Sequence, residues 1–187
     1  MDVSGDFVLT SNSGPSIGPN TFPSSVRLHS LAFGGRREVL EVERTNLSLD
    51  ADDLPPVLLL GDDPDLFGES LAIDSSLPDG VIVVGAPNRR TSDFGLRNGV
   101  VYLFNIAGNQ ANFRLDVPPF ATAQRFGRAV DVAPVPVAGF PFFEYRIAVG
   151  TEPLELVFPL NPEAFLFSAV TGQLTATLVP DCLLYHI

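Results

Sequence analysis

Two stretches of this chain carry the same landmarks in the same order, and that repetition limits the fold more than any single residue does. Residues Phe67 to Pro118 and Phe126 to Pro180 each open on Phe-Gly, at Phe67-Gly68 and Phe126-Gly127, 59 residues apart. Each continues into an alternating apolar strand, Ser70-Leu71-Ala72-Ile73-Asp74 in one and Ala129-Val130-Asp131-Val132 in the other. A second apolar run ends in glycine: Val81-Ile82-Val83-Val84-Gly85-Ala86-Pro87 is matched by Arg146-Ile147-Ala148-Val149-Gly150-Thr151. A third run follows, Val100-Val101-Tyr102-Leu103-Phe104 against Ala164-Phe165-Leu166-Phe167, and a fourth closes on Val117-Pro118 and Val179-Pro180. Such a unit holds about four short strands, the content of one propeller blade. A lone unit of this size cannot cover both of its faces, so its apolar surface is buried only when units stack.

The 187 residues allow one domain or at most two small ones. Seventeen Pro and sixteen Gly imply many turns between short elements, which favours an all-β fold over helices. Fifteen Phe and no Trp make phenylalanine the aromatic of the core.

The order Phe-Gly, strand, Gly-Ala-Pro, strand resembles the FG-GAP repeat, the blade of the integrin alpha-subunit propeller and of related surface proteins. Phe67-Gly68 with Gly85-Ala86-Pro87 follows that pattern throughout, whereas the second unit has Gly150-Thr151-Glu152-Pro153, with one residue inserted before the proline. The resemblance implies antiparallel propeller-type blades, two clear and a third in degenerate form. That is too few for the closed seven-bladed ring of the integrin type. The expected division is an extended arm or loop over 1–25, a degenerate blade-like segment over 26–66, one blade over 67–125 and a second blade with a C-terminal tail over 126–187. In the degenerate segment, Ser30-Leu31-Ala32-Phe33-Gly34-Gly35 aligns with the second strand of a blade. Val39 to Glu43 then aligns with the third, and Asn46-Leu47-Ser48-Leu49 with the outer strand.

Calcium is the usual metal of this family, and the resemblance places its loop between the first two strands. Here that loop is Asp74-Ser75-Ser76-Leu77-Pro78-Asp79-Gly80. Asp74 and Asp79 remain, but the middle carboxylate is missing, and a hard cation needs six to eight oxygens. The matching loop of the second repeat holds no such acids and is expected to be metal-free. No cofactor is expected beyond this weak calcium site.

The formal charge of −11, with all eleven basic residues arginine, argues against nucleic acid or an anionic membrane as partner, since both need a cationic patch. No apolar stretch is long enough for a membrane-spanning helix. The start, Met1-Asp2-Val3-Ser4-Gly5-Asp6, has neither the cationic region nor the apolar core of a signal peptide. The protein is therefore not secreted by that route, or the sequence is a mature or excised piece; the resemblance favours the cell exterior. The single cysteine, Cys182, excludes an internal disulfide. His29 and His186 are the two histidines, in no nucleophile or zinc motif, and are expected to be exposed or terminal. Enzyme activity is not expected.

Two further segments bear on partners. Pro134-Val135-Pro136-Val137-Ala138-Gly139-Phe140-Pro141-Phe142-Phe143 is apolar and proline-rich. Proline removes ladder donors, so it is not expected to form a central strand. It either folds over the end of its own sheet or offers Phe140, Phe142 and Phe143 as a docking surface. Arg89, Arg90 and Asp93 follow Gly85-Ala86-Pro87 and read as a solvated turn. The repeat framework rests on Phe67, Gly68, Gly85, Phe126, Gly127 and Gly150. The leading expectation is a structural or adhesion module that contacts other protein chains or copies of itself in a surface or extracellular assembly. A calcium-dependent ligand-binding propeller segment and an accessory propeller of a hydrolase remain as alternatives.

Overall fold

A computed structural model describes residues 1–12, 25–30, 37–43, 66–77, 80–89, 98–106, 111–119, 124–137, 142–152 and 163–178. They form twelve strands in three four-stranded antiparallel sheets, with no helix among the described residues. The first sheet holds β1 (Asp2–Ser4), β2 (Phe7–Asn12), β3 (Ser25–Ser30) and β4 (Arg37–Glu43). The second holds β5 (Ser70–Asp74), β6 (Val81–Ala86), β7 (Val100–Asn105) and β8 (Ala111–Asp116). The third holds β9 (Gln124–Pro136), β10 (Phe143–Glu152), β11 (Ala164–Ser168) and β12 (Leu174–Leu178). Each sheet is a meander in which consecutive strands are neighbours. The first strands of the three sheets lie side by side, β5 against both β1 and β9.

The all-β expectation is met, and three sheets are present, but the first begins earlier in the chain than the sequence suggested. Its first two strands fall within the stretch read as an arm. Ser4 and Phe7 are paired across Gly5-Asp6, with Gly5 at a φ of 56°. A Gly-Asp pair between short runs is a two-residue hairpin signal, and the prolines further on masked it. Val39 to Glu43 lies in β4, the fourth strand of this sheet and not the third. Residues 13–24, 31–36 and 44–65, including Asn46 to Leu49, lie outside the described residues.

Two apolar cores separate the sheets. Leu9, Val26 and Leu28 of the first sheet meet Ile73, Ile82, Val84, Ala86, Val100, Tyr102 and Phe104 of the second. The alternate residues of that second sheet, Ala72, Val83, Val101, Leu103 and Leu115, meet Val132, Tyr145, Ile147, Val149, Phe165 and Phe167 of the third. The middle sheet is thus covered on both sides, and β6 and β7 are apolar at nearly every position. A strand buried on both faces reads as a continuous apolar run, whereas one with a single covered face alternates. From Glu144 to Glu152, β10 alternates strictly between half-buried and buried residues.

The Phe-Gly turns sit in the two cores. Phe67 and Phe126 are each fully buried. Phe67 meets Tyr102 edge-on at 5.6 Å, and Phe126 meets Phe167 edge-on at 5.8 Å. Both turns share one backbone form. The residue before the phenylalanine is left-handed, Leu66 at 58° and Arg125 at 55°, and so is the glycine after it, Gly68 at 85° and Gly127 at 88°. The chain thereby enters a new sheet with its glycine pressed on the preceding one. A side chain at Gly68 would meet Ser11 and Val26, and one at Gly127 would meet Val101 at 2.8 Å. Gly85 lies beneath Gly127, where an added Cβ would collide with the Gly127 carbonyl oxygen.

Glycine is therefore required at these two positions of the second interface, for different reasons. Gly127→Ala adds left-handed strain and a clash, and Gly85→Ala adds a clash alone, each lowering stability by about 2 kcal/mol. Gly150 occupies the place of Gly85 in the third sheet, yet its nearest neighbour would be the Ala129 Cβ at 3.4 Å. Gly150→Ala is expected to stay within about 0.5 kcal/mol of the parent. Chemical denaturation of the three variants measures the contrast.

Candidate functional site

The β9–β10 hairpin is the longest among the described residues, and its far end leaves the sheet. β9 pairs with β10 from Gln124↔Glu152 out to Pro136↔Phe143. β11 covers β10 only from Arg146 to Gly150. Beyond Tyr145, whose carbonyl still accepts the Ala169 N–H at 3.0 Å, the hairpin is a two-stranded arm among the described residues. The last described bond between its strands is the Val137 N–H donating to the Phe142 carbonyl at 3.0 Å. Phe142 is 53% exposed, Phe143 55% and Val135 37%. Pro134 and Pro136 are tolerated because β9 is an edge strand, where a missing donor breaks no second ladder. The proline-rich segment is thus strand at its start, and not a central one. Phe140 lies outside the described residues.

The root of this arm is fastened to the middle sheet through Tyr145. The Tyr145 hydroxyl donates to the Asp74 carbonyl at 3.1 Å and accepts the Leu77 N–H at 2.9 Å. Asp74 holds its own loop as well, its Oδ1 accepting the Ser76 N–H at 2.7 Å and lying 3.2 Å from the Tyr145 oxygen. In this structure the carboxylate expected for calcium acts as a turn acceptor. Asp79 lies outside the described residues. Among the described residues no three His, Cys, Asp or Glu side chains are grouped to hold a metal.

At the opposite end of the second interface the Phe-Gly turns carry a polar seam. Arg125 donates to Asn88 at 3.1 Å and to Glu152 at 2.6 Å. Arg128 pairs with Glu69 and reaches Glu152 at 3.5 Å. Asn88 and Arg89 are buried, 2% and 4% exposed. The turn after Gly85-Ala86-Pro87 is therefore packed against the neighbouring unit, not solvated; Arg90 and Asp93 lie outside the described residues. Arg125 and Glu152 are about a third exposed, and such pairs fix geometry more than they stabilise, at about 0–1 kcal/mol.

His29 is another correction. It is 5% exposed in β3, with Nε2 3.3 Å from the Thr10 hydroxyl. His186 and Cys182 lie outside the described residues. Of the framework positions, Phe67, Gly68, Gly85, Phe126 and Gly127 meet at the two interfaces, while Gly150 lies on the far face of the third sheet. Sequence reasoning missed Tyr145 and the Asn88–Arg125–Glu152 seam. The alternation of Tyr145, Ile147 and Val149 was the available signal for the first; nothing in spacing marks the second. Among the described residues no helix is long and apolar enough to cross a membrane.

No family model matches the chain, and no curated protein matches it either.

Burial raises the Tyr145 hydroxyl above its ordinary value, and the nearby Asp74 charge adds to the rise, while the bonds from Leu77 and Ser76 oppose it. The folded state thus favours the neutral phenol. That contribution to stability is complete below about pH 10 and is lost as pH rises through the elevated value. Tyr145→Phe is expected to flatten stability against pH in the alkaline range. At neutral pH it costs about 1 kcal/mol, because the Leu77 N–H loses its acceptor. Denaturation curves between neutral pH and pH 11 check both effects.

Proposed function

We propose that the chain is a non-enzymatic structural or adhesion module that works by protein–protein contact, in a surface or extracellular assembly. The observation that carries this reading is the apolar tip of the β9–β10 arm. Two phenylalanines more than half exposed, on a hairpin that extends past the ladder of its own sheet, form an aromatic anchor of the kind that dominates binding energy at interfaces. The arm is rooted by Tyr145 in the packed core, so its tip is presented without a large ordering cost on association. The overall acidity of the chain accords with a protein partner better than with nucleic acid.

The landmark order of the two later units supports an FG-GAP-like reading of them. Each of those units has a left-handed Phe-Gly entry, a first strand beside that of the preceding sheet, and a glycine on its second strand. Units of that kind serve as contact platforms when several are stacked.

A photo-crosslinking residue at position 143 tests the reading in the protein's native setting. Adducts to another protein chain are expected from position 143 and not from position 177 on β12. Phe142→Ser together with a polar residue at 143 should cut recovery of the partner about tenfold while leaving stability unchanged. Absence of adducts at 143, or equal adducts at both positions, would remove the arm from the account.

A further inference from the structure

We infer that the aromatic arm pairs with the same arm of a second copy of this chain, edge to edge about a two-fold axis at Phe143. This rests on the reading of the chain as a protein-contact module, and it names the partner that the arm takes.

Backbone direction alternates along β10. The Phe142 carbonyl accepts from Val137, and Glu144 and Arg146 face β9 in the same register. The intervening residues point the other way, toward β11. The Tyr145 carbonyl accepts the Ala169 N–H at 3.0 Å, and the Thr151 N–H donates to Glu163 at 3.0 Å. Phe143 belongs to this outward set, so its N–H and C=O both leave the arm on the side where β11 has ended. No described residue bonds to either group. The opposite edge of the arm is closed to pairing. Pro134 and Pro136 lie across from Tyr145 and Phe143 at non-hydrogen-bonded positions, so each directs outward a ring nitrogen that carries no proton. Proline on an exposed edge prevents strand addition. One edge of the arm is thus blocked, and the other is left with a single open residue.

That single residue decides the occupant. One N–H and one C=O on the same residue are self-complementary. Two copies of Phe143 set opposite each other in antiparallel strands exchange both bonds, as a hydrogen-bonded pair of an antiparallel ladder does. A long strand from another protein finds no such continuation, because the next carbonyl along this edge, that of Tyr145, is already taken by Ala169. The two-fold also sets Phe143 against its own counterpart, an aromatic cross-strand pair, and Phe142 against Glu144 of the second copy. Charge is no obstacle at the contact. The described residues of the arm and its root hold one acid and one base, Glu144 and Arg146, which pair with each other. The arm therefore neither repels an identical arm nor selects a charged partner. Exposed apolar side chains lie around the open edge: Phe142, Phe143 and Val135 on the arm, and Val170, at 65% exposure, next to the Ala169 that meets Tyr145. A contact of this small size makes a weak dimer.

Sedimentation equilibrium of the purified 187-residue chain is expected to show a monomer–dimer equilibrium, tightened by salt as the charge of −11 on each copy is screened. Phe143→Pro removes the outward donor from both copies and no bond to β9. Dimerisation should weaken about tenfold or more, while the denaturation midpoint in dilute solution stays unchanged. A second reading does not depend on the proline variant folding. In a Cys182→Ser background, Phe143→Cys should form an interchain disulfide under mild oxidation about tenfold faster than Thr177→Cys on β12, since the Cα atoms of a hydrogen-bonded pair stand about 5.5 Å apart, within disulfide reach. A chain that stays monomeric at millimolar concentration would overturn the proposal. So would a dimer that Phe143→Pro leaves equally tight and that crosslinks equally from 177. Adducts from position 143 to a different protein in the native setting would then identify another occupant and leave the contact reading intact, whereas dimerisation without native adducts would fail that reading alone.

Discussion

Everything in this molecule depends on a left-handed turn that places a phenylalanine between two sheets and a glycine against the older one. The turn is costly in isolation, because Leu66 and Arg125 adopt a backbone region that side chains disfavour. Burial offsets that cost, each aromatic ring being sealed on both sides by strands of different sheets. The consequence is directional. A sheet is completed not by its own residues but by the entry turn of the sheet that follows it. The middle sheet obtains this cover from Phe126 and Gly127, and the first from Phe67 and Gly68.

Local stitches reinforce the same stacking. Ser70 donates to the Gly127 carbonyl at 2.6 Å, the Phe126 N–H donates to Asn98 at 2.9 Å, and Ser75 donates its N–H to the Ser4 hydroxyl at 2.9 Å. These bonds satisfy backbone groups along strand edges that face no ladder partner, and they fix the angle between sheets more than they add energy. Ala129 replaces Ser70 at the corresponding place of the third sheet, so that stitch has no counterpart there.

Much of this was legible in the chain. Ser70 to Asp74, the run from Val81, the run from Val100 and the run from Ala164 were all read as strands. The continuous apolar run at Val81 to Val84, against the alternation of Tyr145 to Val149, already distinguishes a doubly covered sheet from a singly covered one. What escaped notice depends on distance in the chain. Asp2 and Ile73 meet across 71 residues, as do Asp74 and Tyr145, and no local pattern announces such pairs. The opening hairpin at Gly5-Asp6 was hidden by the composition around it, and the burial of His29 and Arg89 is not encoded in local spacing.

Hydrogen exchange resolved along the chain tests the central claim, that the Phe-Gly turns seal each sheet with the next. The amides of β6 and β7 should exchange most slowly, at the rate of global unfolding, together with the Phe126 amide of the entry turn. Those of β11 and β12 should exchange through smaller local openings, since among the described residues no further sheet packs on their outer face. Equal protection across all three sheets, or slowest exchange in the third, would contradict the account.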